Sequence, residues 1–122
     1  MAAMALQISV LGRGAWGATL SGLWQRQGHQ VRSWSRRDGH QPSADLLTAD
    51  LVVSAVAMSG VRQLAATLAP IWPAELPLLS CSKGIDLEQL ATASQLWSRA
   101  LPSTARIAVL SGPNLATDLD QG

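Results

Sequence analysis

The sequence has one cysteine, no tyrosine and no phenylalanine. A single thiol, Cys81, cannot close an internal disulfide, and its isolation removes Cys-rich metal sites, so an intracellular location is the default expectation. Lysine is as scarce as cysteine: of 9 Lys and Arg residues, Lys83 is the only lysine. Charged residues make up 14% of the chain and the formal net charge is +1. With no basic block, nothing marks a surface for nucleic acid or for anionic lipid. No apolar run is long enough to cross a bilayer. The start, Met1-Ala2-Ala3-Met4-Ala5-Leu6, lacks the basic region and apolar stretch of a secretory signal. These absences lead to the expectation of a cytoplasmic, non-membrane protein.

What is present fits a packed domain. The 122 residues suffice for one domain with its own core and not for two ordinary ones. A hydrophobic fraction of 48% excludes a disordered tail. All aromatic residues are tryptophans, Trp16, Trp24, Trp34, Trp72 and Trp97. They are expected to pack in the core or between helix and sheet, except Trp16, which falls in a glycine-rich loop.

Short β-like runs alternate with segments of helical period. Residues 7–11 (QISVL) read as a buried strand running into Gly12, followed by a helix with Leu20, Leu23 and Trp24 as its apolar stripe and Gly28 at its end. Residues 30–35 and 51–56 read as the second and third strands. Val61, Leu64, Ala65 and Leu68 then mark a helix that stops before Pro70. Residues 76–81 give a fourth strand. Asp86 with Gln89 resembles a capping box, opening a helix whose face is Leu87, Leu90, Ala91, Ser94 and Trp97. Residues 106–110 form a fifth strand, and a last helix is expected to begin near Asn114. Strands separated by helices pair in parallel through right-handed crossovers, so the expected fold is α/β: a Rossmann-like, doubly wound parallel sheet of about five strands. The link 36–50 carries Gly39, Pro42 and Ser43 and has room only for a reduced second helix.

Gly12-Arg13-Gly14-Ala15-Trp16-Gly17 is a G-x-G-x-x-G sequence placed after a strand and before a helix, the context such a motif needs. Gly12 permits the tight turn, Gly14 lets the backbone approach a pyrophosphate, and Gly17 lets helix and strand pack closely. The helix start offers free N–H groups and partial positive charge to the anion. At the end of the second strand, NAD sites usually carry a carboxylate for the ribose hydroxyls. This chain has Ser35-Arg36-Arg37, with Asp38 as the first acid. Two guanidiniums suit a 2′-phosphate, so NADP(H) is the expected preference, with NAD(H) as the alternative.

Four segments in order resemble the bacterial type of NAD(P)-dependent glycerol-3-phosphate dehydrogenase: Val10-Leu11-Gly12-Arg13-Gly14-Ala15-Trp16-Gly17, Gly28-His29-Gln30-Val31-Arg32-Ser33-Trp34-Ser35-Arg36, Ser82-Lys83-Gly84-Ile85, and Val109-Leu110-Ser111-Gly112-Pro113-Asn114-Leu115-Ala116. The pairing of S-K-G-I after the fourth strand with L-S-G-P-N-L-A after the fifth is the specific part. The resemblance implies an oxidoreductase interconverting dihydroxyacetone phosphate and sn-glycerol 3-phosphate, a supplier of glycerophospholipid precursors. It implies cofactor contacts from Gly12, Gly14, Ala15, Trp16, Gly17, Arg36, Arg37, Lys83 and Ala116. On the substrate side it implies Lys83, Gly112 and Asn114. It leaves homo-oligomerisation open for the parent enzyme.

The chain also departs from the family. The link between the second and third strands is short, Ala57-Met58 replaces the proline usual after the third strand, and Asp118 stands where glutamate is common. Residues 1–122 are therefore expected to form a partial NAD(P)-binding domain without the C-terminal substrate domain and its second lysine. No catalytic residue is expected within the chain, which should be inactive alone. His29 and His40 lack a second ligand at metal spacing, and Ser111 lacks a histidine, so neither a metal site nor a serine nucleophile is expected. Other readings are a ketopantoate-type reductase, which lacks the paired segments, and a stand-alone NAD(P)-binding module without catalysis.

Overall fold

The computed structural model describes residues 5–110. Its chain order is β1 (Gln7–Leu11), α1 (Ala15–Arg26), β2 (Gln30–Trp34), β3 (Leu51–Ser54), α2 (Met58–Leu68), β4 (Leu78–Ser80), β5 (Ile85–Asp86), β6 (Ala91–Thr92), α3 (Ala93–Ala100) and β7 (Ile107–Val109). Five strands form one sheet in the order β2-β1-β3-β4-β7, every neighbouring pair parallel. The chain leaves β1 for β2 on one side and returns past β1 to β3 on the other. That reversal opens a crevice at the carboxyl ends of β1 and β3, the place where sheets of this kind bind ligands.

The central strands β1, β3 and β4 form because their side chains are covered on both faces. Val10, Leu11, Val52 and Val53 are fully buried, and successive residues go to opposite sides. Leu11, Val52 and Leu78 face a cluster with α2 and α3, whereas Ile8, Val10 and Val53 face a second cluster with Leu20 of α1. Val61, Leu64, Ala65 and Leu68 are the buried stripe of α2, as their spacing predicts. Trp72 and Trp97 meet in the larger cluster with ring centroids 6.0 Å apart. Pro70 falls just past α2, inside a short 3-10 turn over Ala69–Ile71.

The link 36–50 makes two 3-10 turns, Arg36–Asp38 and Ala44–Thr48, in place of a crossover helix. Leu46 and Leu47 still reach the core, and the Ser9 hydroxyl donates to the Leu46 carbonyl at 2.7 Å. Among the described residues β2 and β7 are the edges of the sheet.

One sequence expectation is overturned. The helix after β4 does not open at Asp86; residues 85–92 form a small antiparallel hairpin, β5 with β6, and α3 starts at Ala93. The capping box is made by Thr92 and Gln95. Leu87 and Leu90 are 83% and 78% exposed, so they cannot be a core stripe, and Leu90 has a positive φ of 50°. Asp86 is taken up instead by Arg62 of α2, at 3.6 Å, and Glu88 joins the same guanidinium. The true apolar face is Ala93, Leu96 and Trp97. The expected helix near Asn114 lies outside the described residues.

Cys81 follows β4 and is 2% exposed, and burial pushes its thiol up to about 11. It should therefore resist a thiol-specific reagent at pH 8 in the folded protein and react stoichiometrically once denaturant is added. Rapid labelling of the native chain would contradict that burial.

Candidate dinucleotide site

The glycine loop joins β1 to α1, and its geometry explains two of its glycines. Gly12 has φ of 109°, and a Cβ there would stand 2.7 Å from the Ala55 carbonyl oxygen. A Cβ on Gly17 would lie 2.2 Å from the Gly12 carbonyl oxygen, so only glycine lets α1 start this close to the turn. Above Gly14 there is open space within 4 Å. Gly14 is also the N-cap of α1 and supplies no side-chain acceptor, which leaves the first-turn N–H groups directed at the crevice without a side-chain cap.

A cavity of about 610 Å³ occupies the crevice. One wall is the loop (Gly12, Arg13, Gly14), a second is the β2 exit (Trp34 to Arg37), and a third is the β3 exit with the exposed side of α2. The three exits are held in register by main-chain bonds: Gly12 N–H donates to the Trp34 carbonyl at 2.6 Å and Ala55 N–H to the Leu11 carbonyl at 2.8 Å. No carboxylate is among the residues that line the cavity, whereas Arg13, Arg36 and Arg37 all are. Such a volume, walled by backbone N–H groups, small residues and guanidiniums, suits an extended polyanion.

Arg36 and Arg37 sit in the 3-10 turn after β2, whose N-cap Ser35 accepts from the Arg37 N–H at 3.3 Å. Neither guanidinium forms an ion pair among the described residues. Asp38, by contrast, is engaged. Its carboxylate is gripped by both terminal nitrogens of Arg13, Nη1 to Oδ1 and Nη2 to Oδ2, and Oδ2 also accepts from the Ser35 N–H. The Arg13 hydrogen bond, followed by that from Ser35, holds the Asp38 carboxyl below the usual carboxylate range. The pair therefore persists from neutral pH down through the ordinary carboxylate range and is lost as pH falls through the lowered value.

The remaining sequence-assigned residues are placed as follows. Ala15 begins α1 at the loop. Trp16 is not in the loop: it lies in the first turn of α1, half-buried against the Ile8 and Val10 cluster, and does not line the cavity. The helix begins at Ala15, inside the glycine motif rather than after it, so this side chain packs toward the sheet. Lys83 lies between β4 and β5, also outside the cavity lining. Its neighbour Ser82 is tied by its hydroxyl to the Val56 carbonyl at 2.5 Å, and Val56 does line the cavity. Gly112, Asn114 and Ala116 lie outside the described residues. Among the described residues no His, Cys, Asp and Glu cluster could hold a metal. The His29 ring accepts from the Leu6 N–H at 3.0 Å, a structural role.

Sequence reasoning missed Arg13. Its signal was a long cation between two motif glycines, which only the proximity of the β2 exit makes meaningful. It also missed His40 and Gln41, which line the cavity because the short link folds back across it; the Trp34 indole N–H donates to the His40 carbonyl at 3.0 Å.

A parallel sheet with a glycine loop at its switch point and a cationic crevice beside it defines a dinucleotide-binding domain of the Rossmann class. Residues 7–46 and 42–122 match the family described as the N-terminus of NAD-dependent glycerol-3-phosphate dehydrogenase, and the chain belongs to that family. A protein named glycerol-3-phosphate dehydrogenase (NAD(P)+) from a Synechococcus species is 47% identical over 98% of this chain and 38% of its own length. One of the same name from a Nostoc species is 44% identical over 93% of this chain and 37% of its own. The chain thus spans well under half of these relatives. The crystal structure of glycerol-3-phosphate dehydrogenase from Coxiella burnetii shares the fold, with a TM-score of 0.82 at 21% identity, over 96% of this chain and 44% of that one.

Proposed function

We propose that this chain is the NAD(P)-binding part of an oxidoreductase that interconverts dihydroxyacetone phosphate and sn-glycerol 3-phosphate, with NADP(H) preferred over NAD(H). The observation that carries this reading is the acid-free cavity at the switch point, lined by the glycine loop and by Arg36 and Arg37. Family membership and the names of the relatives support the reaction. The residues fit the cofactor: uncapped N–H groups of α1 would take the pyrophosphate, with open space at Gly14, and the two arginines a 2′-phosphate. Gly12 and Gly17 would shape that cradle, with Ala15 at its rim and Trp16 supporting it from behind.

When bound, the nicotinamide supplies the hydride chemistry. The protein's own part is to orient and to place charge. Lys83, in the loop after β4, would balance the substrate's phosphate or a developing oxyanion. Gly112 and Asn114 would serve the substrate and Ala116 the cofactor. We assign no catalytic proton carrier to this chain, and residues 1–122 act as a partial domain that binds cofactor without turnover. Under this reading the parent enzyme works in the cytoplasm on small-molecule substrates, and its homo-oligomerisation stays open. Among the described residues no helix is long and apolar enough to cross a membrane.

The test is a titration of the chain with NADPH and NADH, followed by tryptophan fluorescence, since Trp34 lines the cavity. Saturable binding of both, tighter for NADPH, is expected, with no loss of NADPH absorbance when dihydroxyacetone phosphate is added. Binding of neither nucleotide would overturn the reading, and steady oxidation of NADPH would show that the proton carrier has been misplaced.

A further inference from the structure

We infer that Arg13, the residue between the first two motif glycines, is a specificity-determining residue that cancels Asp38 and so permits a 2′-phosphate at the β2 exit. The inference rests on the dinucleotide reading above and adds a residue that the motif does not assign.

A carboxylate at the end of β2 is the feature by which such sites choose a ribose hydroxyl and repel a phosphate. Asp38 is close to that position, four residues after Trp34. Left alone, it would set a negative charge beside Arg36 and Arg37 and weaken their pull on a dianion. Arg13 prevents this through a two-pronged contact with both carboxylate oxygens. The guanidinium is held from its other side by β2, Nε donating to the Ser33 hydroxyl at 2.8 Å and Nη2 to the Ser33 carbonyl at 3.0 Å. Four hydrogen bonds from Arg13 to β2 and its exit, with one more from the Ser35 N–H to Asp38, fix one geometry, in which Arg13 faces the cavity and Asp38 does not line it. The Arg13 side chain is 44% exposed and that of Asp38 only 22%, consistent with the cation lying over the anion. The planar fork of arginine matches a carboxylate in a way lysine does not. The cavity lining therefore holds three guanidiniums and no carboxylate.

The experiment uses four versions of the chain: the native sequence, Arg13→Ala, Asp38→Asn and the double variant, each titrated with NADPH and NADH. Arg13→Ala should weaken NADPH by about tenfold and leave NADH within about twofold, because an uncovered Asp38 opposes only the 2′-phosphate. Asp38→Asn should tighten NADPH by several-fold, roughly two- to fivefold, by releasing Arg13 to the ligand. The double variant should recover most of the NADPH affinity lost in Arg13→Ala. Equal weakening of both nucleotides by Arg13→Ala, or no recovery in the double variant, would make the pair merely structural and overturn the inference. Melting curves of all four separate a folding defect from a specificity effect. Repeating the titrations with 2′,5′-ADP and 5′-AMP restricts the readout to the adenosine end. If the native chain prefers NADH, the NADP reading itself fails. If it prefers NADPH but Arg13→Ala keeps that preference, only the present inference does.

Discussion

Gly17→Ala is expected to lose measurable dinucleotide binding and to lower the melting temperature by about 10 °C or more. The added Cβ would stand 2.2 Å from the carbonyl oxygen of Gly12, and both partners are main chain, so neither can swing away. Relief requires moving the start of α1 off β1, which distorts the loop and costs about 3 kcal/mol, toward the upper end of ordinary overpacking. In a domain of this size each kcal/mol is worth roughly 4–8 °C. Gly14→Ala provides the contrast. Gly14 has φ of −68°, open to any residue, and a Cβ there meets nothing within 4 Å. Its melting temperature should stay within about 2 °C of the native value, while NADPH and NADH affinity both fall, because the space above Gly14 is what the pyrophosphate would occupy. Calorimetry and fluorescence titration on the same samples separate the two effects. A stable, binding-competent Gly17→Ala protein would contradict the loop geometry, and normal affinity in Gly14→Ala would remove the pyrophosphate from its assigned place.

Arg36→Ala combined with Arg37→Ala is expected to weaken NADPH by roughly 100-fold and NADH by less than about threefold. Two charge-assisted contacts to a phosphate, discounted for solvent, are worth about 3 kcal/mol together, and about 1.4 kcal/mol corresponds to tenfold. Neither side chain supports the fold through an ion pair among the described residues, so stability should change little. The difference between the nucleotides should shrink as salt is raised, as exposed charges are screened beyond about 8 Å at physiological ionic strength. Isothermal titration at two salt concentrations reads both effects. Unchanged preference in the double variant would move the 2′-phosphate away from the β2 exit.

Much of this protein is legible in local sequence. The five sheet strands and α2 follow from short apolar runs and a clean helical stripe, since a side chain's period is set by its own backbone. The roles of Gly12 and Gly17 are equally local, because a turn that admits no Cβ leaves its mark at the position itself. Strand limits came out shorter than the apolar runs at β3, β4 and β7, as apolar residues continue past the last paired residue.

Local pattern could not decide the stretch 85–92. Asp86 with Gln89 and Thr92 with Gln95 are both acceptable helix starts by spacing. The chain pairs as a hairpin instead, with Asp86 and Glu88 beside the guanidinium of Arg62, 24 positions before Asp86, a contact that local spacing does not show. The same holds for Arg13. Composition and motif fix that a cation stands between Gly12 and Gly14, and the sequence by itself determines the fold class, the phosphate loop and the arginines after β2. Only the tertiary structure sets β1 beside β2, brings Asp38 under Arg13 across 25 positions of sequence, and thereby makes the wall of the cavity positive. The physical reason is that charge at a site is a sum over what is near in space, and parallel strand pairing, which is non-local, decides what is near.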